Sequence, residues 1–235
     1  MEKNLKNGIL YGVGVGPGDP ELITLKAKSI LEKCRIIACP DTGAGALVAL
    51  KIVSGVVDMS EKEILPLVLP MGQPEEKRRE MYLEAANKVA VPLSKGEDVA
   101  LINLGDVSIY STFSNVQQQV MNLGYETRMI PGVPSFVASA CALNISLAEG
   151  KEPLHIFPGG GGMEEELLAK GTKVIMKSGK KLTRVIAELR ERDMLKNAGL
   201  VKNCSMEDEE LYPHLEGGIP EIDSYFTTLI VKEKK

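Results

Sequence analysis

The chain of 235 residues predicts an α/β fold built as two units. Three observations predict it. Short apolar runs alternate with helix-periodic segments along most of the chain. The run 98–104 (Asp-Val-Ala-Leu-Ile-Asn-Leu) is almost continuously apolar, as expected of a parallel strand covered by helices on both faces. A glycine-rich turn at 12–20 leads straight from an apolar strand into a helical pattern. Together these read as two α/β domains, 1–123 and 124–235, with a cleft between them.

In the first half, 9–15 is an apolar strand and 21–33 a helix with Leu22, Leu25, Ala27, Ile30 and Leu31 at helical spacing. A second strand, 35–39, ends at Pro40-Asp41, and 44–54 reads as a short helix. Pro66 interrupts the strand 63–69 and sends it to a sheet edge, because proline cannot donate to a ladder. A long charged helix, 75–94, precedes the buried strand 98–104, and helix 114–123 is closed by Gly124. The second half opens with strand 126–130, the turn Pro131-Gly132-Val133-Pro134 and a small-residue helix at 135–143. Strands follow at 154–157, 172–176, 199–203 and 225–232, with helices at 164–169 and 182–192. The segment 159–162 is four glycines in a row and reads as loop, as does the polar segment 205–218.

Composition narrows the function classes. Hydrophobic residues make up 44% and charged residues 26%, ordinary values for a globular protein. Aromatics are 4% and Trp is absent, which argues against base-stacking on single-stranded nucleic acid. The net charge of −4 argues against a general nucleic-acid binder. No apolar run approaches the roughly 18–20 residues of a membrane span, and the N-terminus lacks the apolar core of a signal peptide. Cys34, Cys39, Cys141 and Cys204 form no Cys-x-x-Cys pair, and His155 and His214 are the only histidines. No metal site is expected, and the thiols read as reduced, in a cytosolic protein.

The loop at 12–20 (Gly-Val-Gly-Val-Gly-Pro-Gly-Asp-Pro) presents backbone N–H groups and a helix start to a ligand. It fails the dinucleotide fingerprint, since Pro17 or Asp19 stands where the last glycine is required. Walker A fails as well, because Gly179-Lys180 is followed by Lys181. Gly105 and Asp106 follow the buried strand directly, at the carboxyl end where ligands of parallel sheets sit. Asp106 either accepts from a ligand or stabilises the turn. Ser111 and Thr112 either bind a ligand or cap the next helix. Lys177, Lys180, Lys181 and Arg184 follow a strand end and form an anion site or a solvated face.

Three segments occur together and in order: 14–27 (Gly-Val-Gly-Pro-Gly-Asp-Pro-Glu-Leu-Ile-Thr-Leu-Lys-Ala), Gly105-Asp106 with Tyr110, and Pro131-Gly132-Val133-Pro134-Ser135. In this order they resemble the tetrapyrrole methyltransferases, S-adenosylmethionine-dependent enzymes of the cobalamin and sirohaem pathways. Tyr110-Ser111-Thr112-Phe113 looks most like the branch that methylates C20 of precorrin-2 or cobalt-factor II. The resemblance implies a tetrapyrrole methylase-like fold and a homodimer, with S-adenosylmethionine bound between the two domains and S-adenosylhomocysteine as product. It implies cofactor contacts at Pro17, Leu104, Gly105, Asp106, Ile109, Tyr110, Pro134, Ser135, Met176 and Cys204. Val107 stands where the family usually has proline, and Cys204 where it often has glycine or alanine. For the tetrapyrrole, with its several carboxylates, Tyr110, Ser111, Thr112, Lys177 and Lys180 are the candidates, with Arg78, Arg79 and Arg184 as further cations. No residue is assigned as catalytic base. Two other readings remain at this point: methylation of another ring position, or a nucleotide-dependent oxidoreductase. A non-catalytic binding module is a third.

Overall fold

A computed structural model describes residues 7–41, 46–69, 72–159, 163–217 and 225–233. The chain divides into two compact units, 1–134 and 135–235.

The first unit holds a five-stranded sheet of β1 (Ile9–Gly14), β2 (Ile36–Asp41), β3 (Glu63–Val68), β4 (Val99–Asn103) and β5 (Glu126–Ile130), in the order β3-β2-β4-β1-β5. All four pairings are parallel. One face is covered by α1 (Leu25–Lys33) and α2 (Ala46–Ser54), through Ala27, Ile30, Leu31, Ile52 and Val53. The other is covered by α3 (Glu75–Ser94) and α4 (Phe113–Asn122), through Ala86, Val89, Leu93, Phe113 and Val116. Strand residues of alternating parity serve the two layers, Ala100 and Ile102 one, Val99 and Leu101 the other.

The second unit begins with α5 (Ser135–Ala142). Its sheet combines β6 (Leu154–Pro158), β7 (Thr172–Met176), β8 (Ala198–Lys202), β9 (Glu210–Tyr212) and β10 (Thr227–Val231), in the order β6-β7-β10-β8-β9. Only β6 and β7 pair in parallel; the other three pairings are antiparallel. α6 (Glu164–Leu168) and α7 (Leu182–Glu191) pack on one face through Leu167, Leu182, Val185 and Leu189.

Several expectations are corrected. The division falls at Pro134/Ser135, not at 123/124. The strand 126–130 is the edge strand of the first sheet: β1 has β4 on one side, and β5 satisfies its other ladder from Ile9↔Glu126 to Val13↔Ile130. The first helix starts at Leu25 and not at 21. Asp19 accepts from the Glu21 amide and closes a separate 3-10 turn at Pro20–Leu22, and the Thr24 hydroxyl then caps α1 by accepting from Ala27. β2 runs on through Pro40, where only β3 still flanks it, so the missing N–H costs no pairing with β4. β3 is an edge strand, as Pro66 required. Part of the expected loop 205–218 is β9, three residues hairpinned onto β8. The start of the expected helix at 44–54 and the glycines 160–162 lie outside the described residues.

Candidate functional site

At the carboxyl end of the first sheet, the loops after β1, β4 and β5 meet backbone to backbone. A Cβ on Gly14 would lie 2.6 Å from the Gly132 nitrogen and 2.8 Å from the Gly105 oxygen. A Cβ on Gly132 would lie 2.3 Å from that same oxygen. Gly16 and Gly105 exchange amide hydrogen bonds, Gly105 N–H to Gly16 O at 2.7 Å and Gly16 N–H to Gly105 O at 3.2 Å. Both hold positive φ, 82° and 75°. This is a side-chain-free surface of peptide groups, the kind that allows close backbone approach to a ligand.

Asp106 fastens two of these loops. Its Oδ1 accepts from the Ser108 amide at 2.8 Å and from the Ser108 hydroxyl, and its Oδ2 accepts from the Gly132 amide at 2.9 Å across the loops. Burial pushes its carboxyl up, but the Ser108 hydroxyl and the amides of Gly132, Ser108 and Val107 outweigh that and hold it below the usual aspartate range. Asn103, the last residue of β4, donates from Nδ2 to the carbonyls of Leu104 and Asp106, both at 2.9 Å. Its Oδ1 accepts from Ser111 Oγ at 2.7 Å, and Ser111 Oγ accepts from the Phe113 amide at 3.0 Å. Ser111 therefore serves the start of α4, whereas Thr112 makes no capping bond. Tyr110 lies in the left-handed region at φ 48° with 43% of its surface exposed. Pro17 is buried; Leu104, Ile109 and Pro134 are half-buried.

In the second unit the strand ends use ordinary residues in the same strained conformation: Lys177 after β7 (φ 55°), and Asn203 and Ser205 after β8 (φ 50° and 61°). Met176 is buried at the end of β7, and its carbonyl accepts from the Gly159 amide at 2.6 Å. Lys177 is half-buried, and burial pushes its amine down. The Ser178 hydroxyl is buried without a hydrogen-bond partner among the described residues. Cys204 is buried, which pushes its thiol up despite nearby Ser139 and Ser205 hydroxyls. Asn203 Nδ2 donates to Asp208 at 2.6 Å, and the Ser205 amide donates to Glu209 at 2.6 Å, so side chains shape this turn. Ser135 opens α5 and is half-buried.

Residues 9–219 match the family of Tetrapyrrole (Corrin/Porphyrin) Methylases. The chain belongs to this family. It is 37% identical over 238 residues to the "Probable cobalt-precorrin-2 C(20)-methyltransferase" of Methanocaldococcus jannaschii, covering 100% of both chains. It is 26% identical to the cobalt-precorrin-2 C(20)-methyltransferase of Salmonella typhimurium, covering 97% of this chain and 98% of that one. Among solved structures it is similar to a uroporphyrin-III C-methyltransferase of Thermus thermophilus determined with S-adenosylhomocysteine, with a TM-score of 0.69, 21% identity and coverage of 96% and 98%.

Within this tetrapyrrole methylase, the structure brings Gly105 and Asp106 together with Gly14, Gly16 and Gly132. It gives Asp106 intramolecular partners at both oxygens, so the loop-stabilising reading of this residue is realised. Of the expected cations, Arg79 pairs with Glu75 and Arg184 with Glu188, each one turn along its own helix and exposed, and Arg78 is exposed as well. These are solvated faces. The Lys180 side chain lies outside the described residues. Sequence reasoning missed Asn103 and Ser108. The one signal for Asn103 was a polar residue at the end of an otherwise apolar strand.

Proposed function

We propose that this tetrapyrrole methylase transfers a methyl group from S-adenosylmethionine to C20 of precorrin-2 or its cobalt form in cobalamin biosynthesis. The observation that carries the reading is the full-length 37% identity to a protein named for that reaction. The residues present fit the cofactor. The peptide surface around Gly14, Gly105 and Gly132 leaves no room for a Cβ. The flanking residues Leu104, Ile109 and Pro17 are apolar and suit an uncharged nucleoside rather than a phosphate. Bound S-adenosylmethionine supplies an already activated methyl group, so the protein need not generate a nucleophile.

The chain's task is then to orient and to exclude water. Leu104, Gly105 and Asp106 hold the cofactor through backbone groups, with Asp106 fixing the loop from within, and Pro17, Ile109, Tyr110 and Pro134 complete the first unit's part. Ser135, Met176 and Cys204 are proposed contacts on the family's pattern. Tyr110, Ser111, Thr112, Lys177 and Lys180 are proposed for the tetrapyrrole. A homodimer in the cytosol is proposed on the same resemblance, and three of the four free cysteines are buried, in keeping with reduced thiols.

The test is incubation with methyl-labelled S-adenosylmethionine and precorrin-2, with and without cobalt, followed by NMR of the product. Label at C20 is expected. Label at another carbon, or unlabelled tetrapyrrole, overturns the reading. In thermal-shift assays S-adenosylhomocysteine stabilises the protein and NAD does not; the reverse favours an oxidoreductase.

A further inference from the structure

We infer that Asn103 is a positioning residue that links the cofactor-holding backbone to the tetrapyrrole-binding segment. The inference rests on the proposed function and adds a residue outside the implied contacts. Asn103 reaches both parts at once. Its two Nδ2 hydrogens are spent on the carbonyls of Leu104 and Asp106, at 2.9 Å each, on either side of Gly105. Its Oδ1 takes the Ser111 hydroxyl proton at 2.7 Å. Carbonyls only accept, so one orientation of the amide satisfies all three bonds, and the flipped one would set its oxygen against the carbonyls of Leu104 and Asp106 and lose both of those bonds.

The network extends at both ends. Ser111 Oγ accepts from the Phe113 amide, which anchors the far end to α4. The Asn103 carbonyl accepts from the Val15 amide at 3.0 Å, which anchors the near end to the loop after β1. Between Asp106 and Ser111 the chain passes through Tyr110, held in a left-handed conformation that a non-glycine residue adopts only when its surroundings impose it. Hydrogen bonds in series polarise one another, so the amide and the hydroxyl act together.

A purely structural polar end to β4 would affect stability and nothing else. A positioning link affects two ligands in a defined pattern. The test uses the full chain and its N103L, N103D, S111A, S111T and N103L/S111A variants. Calorimetry reads S-adenosylhomocysteine affinity, steady-state methyl transfer reads the tetrapyrrole KM, and thermal melting reads stability. N103L is expected to weaken both ligands about tenfold, and S111A to raise the tetrapyrrole KM about tenfold with cofactor affinity within about twofold. The double variant is expected to bind the tetrapyrrole no worse than N103L, since both remove the same bond. S111T, which keeps the hydroxyl, restores the KM.

N103D keeps the acceptor for Ser111 but sets a carboxylate against two carbonyls, so cofactor affinity falls while the tetrapyrrole KM holds. It carries the test if N103L does not fold, and unchanged cofactor affinity in N103D overturns the inference. Additive effects in the double variant, or equal loss of cofactor affinity in S111A and N103L, also overturn it. Wild-type protein that fails to bind S-adenosylhomocysteine sinks the proposed function instead. Wild-type binding with unchanged variants sinks this inference alone.

Discussion

The two units reach the same kind of strand-end turn by different means. In the first, the turns after β1 and β4 use glycine for positive φ, and the three loops touch where no side chain fits. In the second, Lys177, Asn203 and Ser205 hold the same left-handed backbone with side chains attached. The first solution is set by local steric freedom and is written in the sequence as a glycine motif. The second is imposed by neighbours, such as Asp208 on Asn203 and Glu209 on Ser205, and leaves no motif. The glycine-built contacts leave no room for a side chain, whereas the side-chain-built turns depend on the partners that their residues find.

The largest effect that sharpens this contrast is expected at Gly132. In G132A the new Cβ would lie 2.3 Å from the Gly105 oxygen, a backbone atom that cannot swing away. Destabilisation of about 3 kcal/mol in urea unfolding is expected, with loss of S-adenosylhomocysteine binding. G179A in the second unit, where the nearest neighbour is Tyr225 Cδ2 at 3.9 Å, is expected to cost about 1 kcal/mol, from its positive φ alone. Equal effects at the two positions break the comparison.

Asp106 comes next. D106N removes the charged acceptor for the Gly132 amide and is expected to cost about 2 kcal/mol at neutral pH. The sign with pH follows from the depressed carboxyl. Its stabilisation is present above the unfolded value of about 4 and disappears as pH falls through the lower folded value. The gap between wild type and D106N, read by denaturation across pH, is expected to close in acid and stay constant from pH 5 to 8. A gap that persists below the folded value would remove the carboxylate from the argument.

Lys177 carries a smaller effect of the opposite kind. Burial depresses its amine, so between the folded value and the unfolded one near 10.4 the unfolded chain binds the extra proton and stability rises with pH. K177M is expected to be more stable than wild type at neutral pH, with the gain shrinking in alkali and the tetrapyrrole KM raised. A destabilised K177M with unchanged KM would make Lys177 a structural residue. The smallest effects belong to R79A and R184A, which break exposed pairs on helix surfaces and are expected to leave both melting temperature and tetrapyrrole KM unchanged.

Much of the first unit was legible because its information is local. The apolar run at β4, the proline in edge strand β3 and the glycines at 14, 105 and 132 each report their own surroundings. The second unit's strands and helices were legible for the same reason, β9 excepted, since three residues are too short to show a period. The order of strands was not legible. β10, last in the chain, inserts between β7 and β8, and β5 crosses to the far side of β1. Pairings of that kind depend on partners tens of residues away.

The sequence by itself determined that this chain alternates strands and helices, that its strand-end loops need glycine, and that its three motifs are those of a tetrapyrrole methylase. Tertiary structure alone decided that the first unit extends to Pro134, that Asp106 ties the β4 loop to Gly132, and that Asn103 joins Leu104, Asp106 and Ser111. The physical reason is the range of the interactions. Steric limits on φ act within one residue, whereas a ladder or a cross-loop hydrogen bond exists only once distant backbones have been brought together.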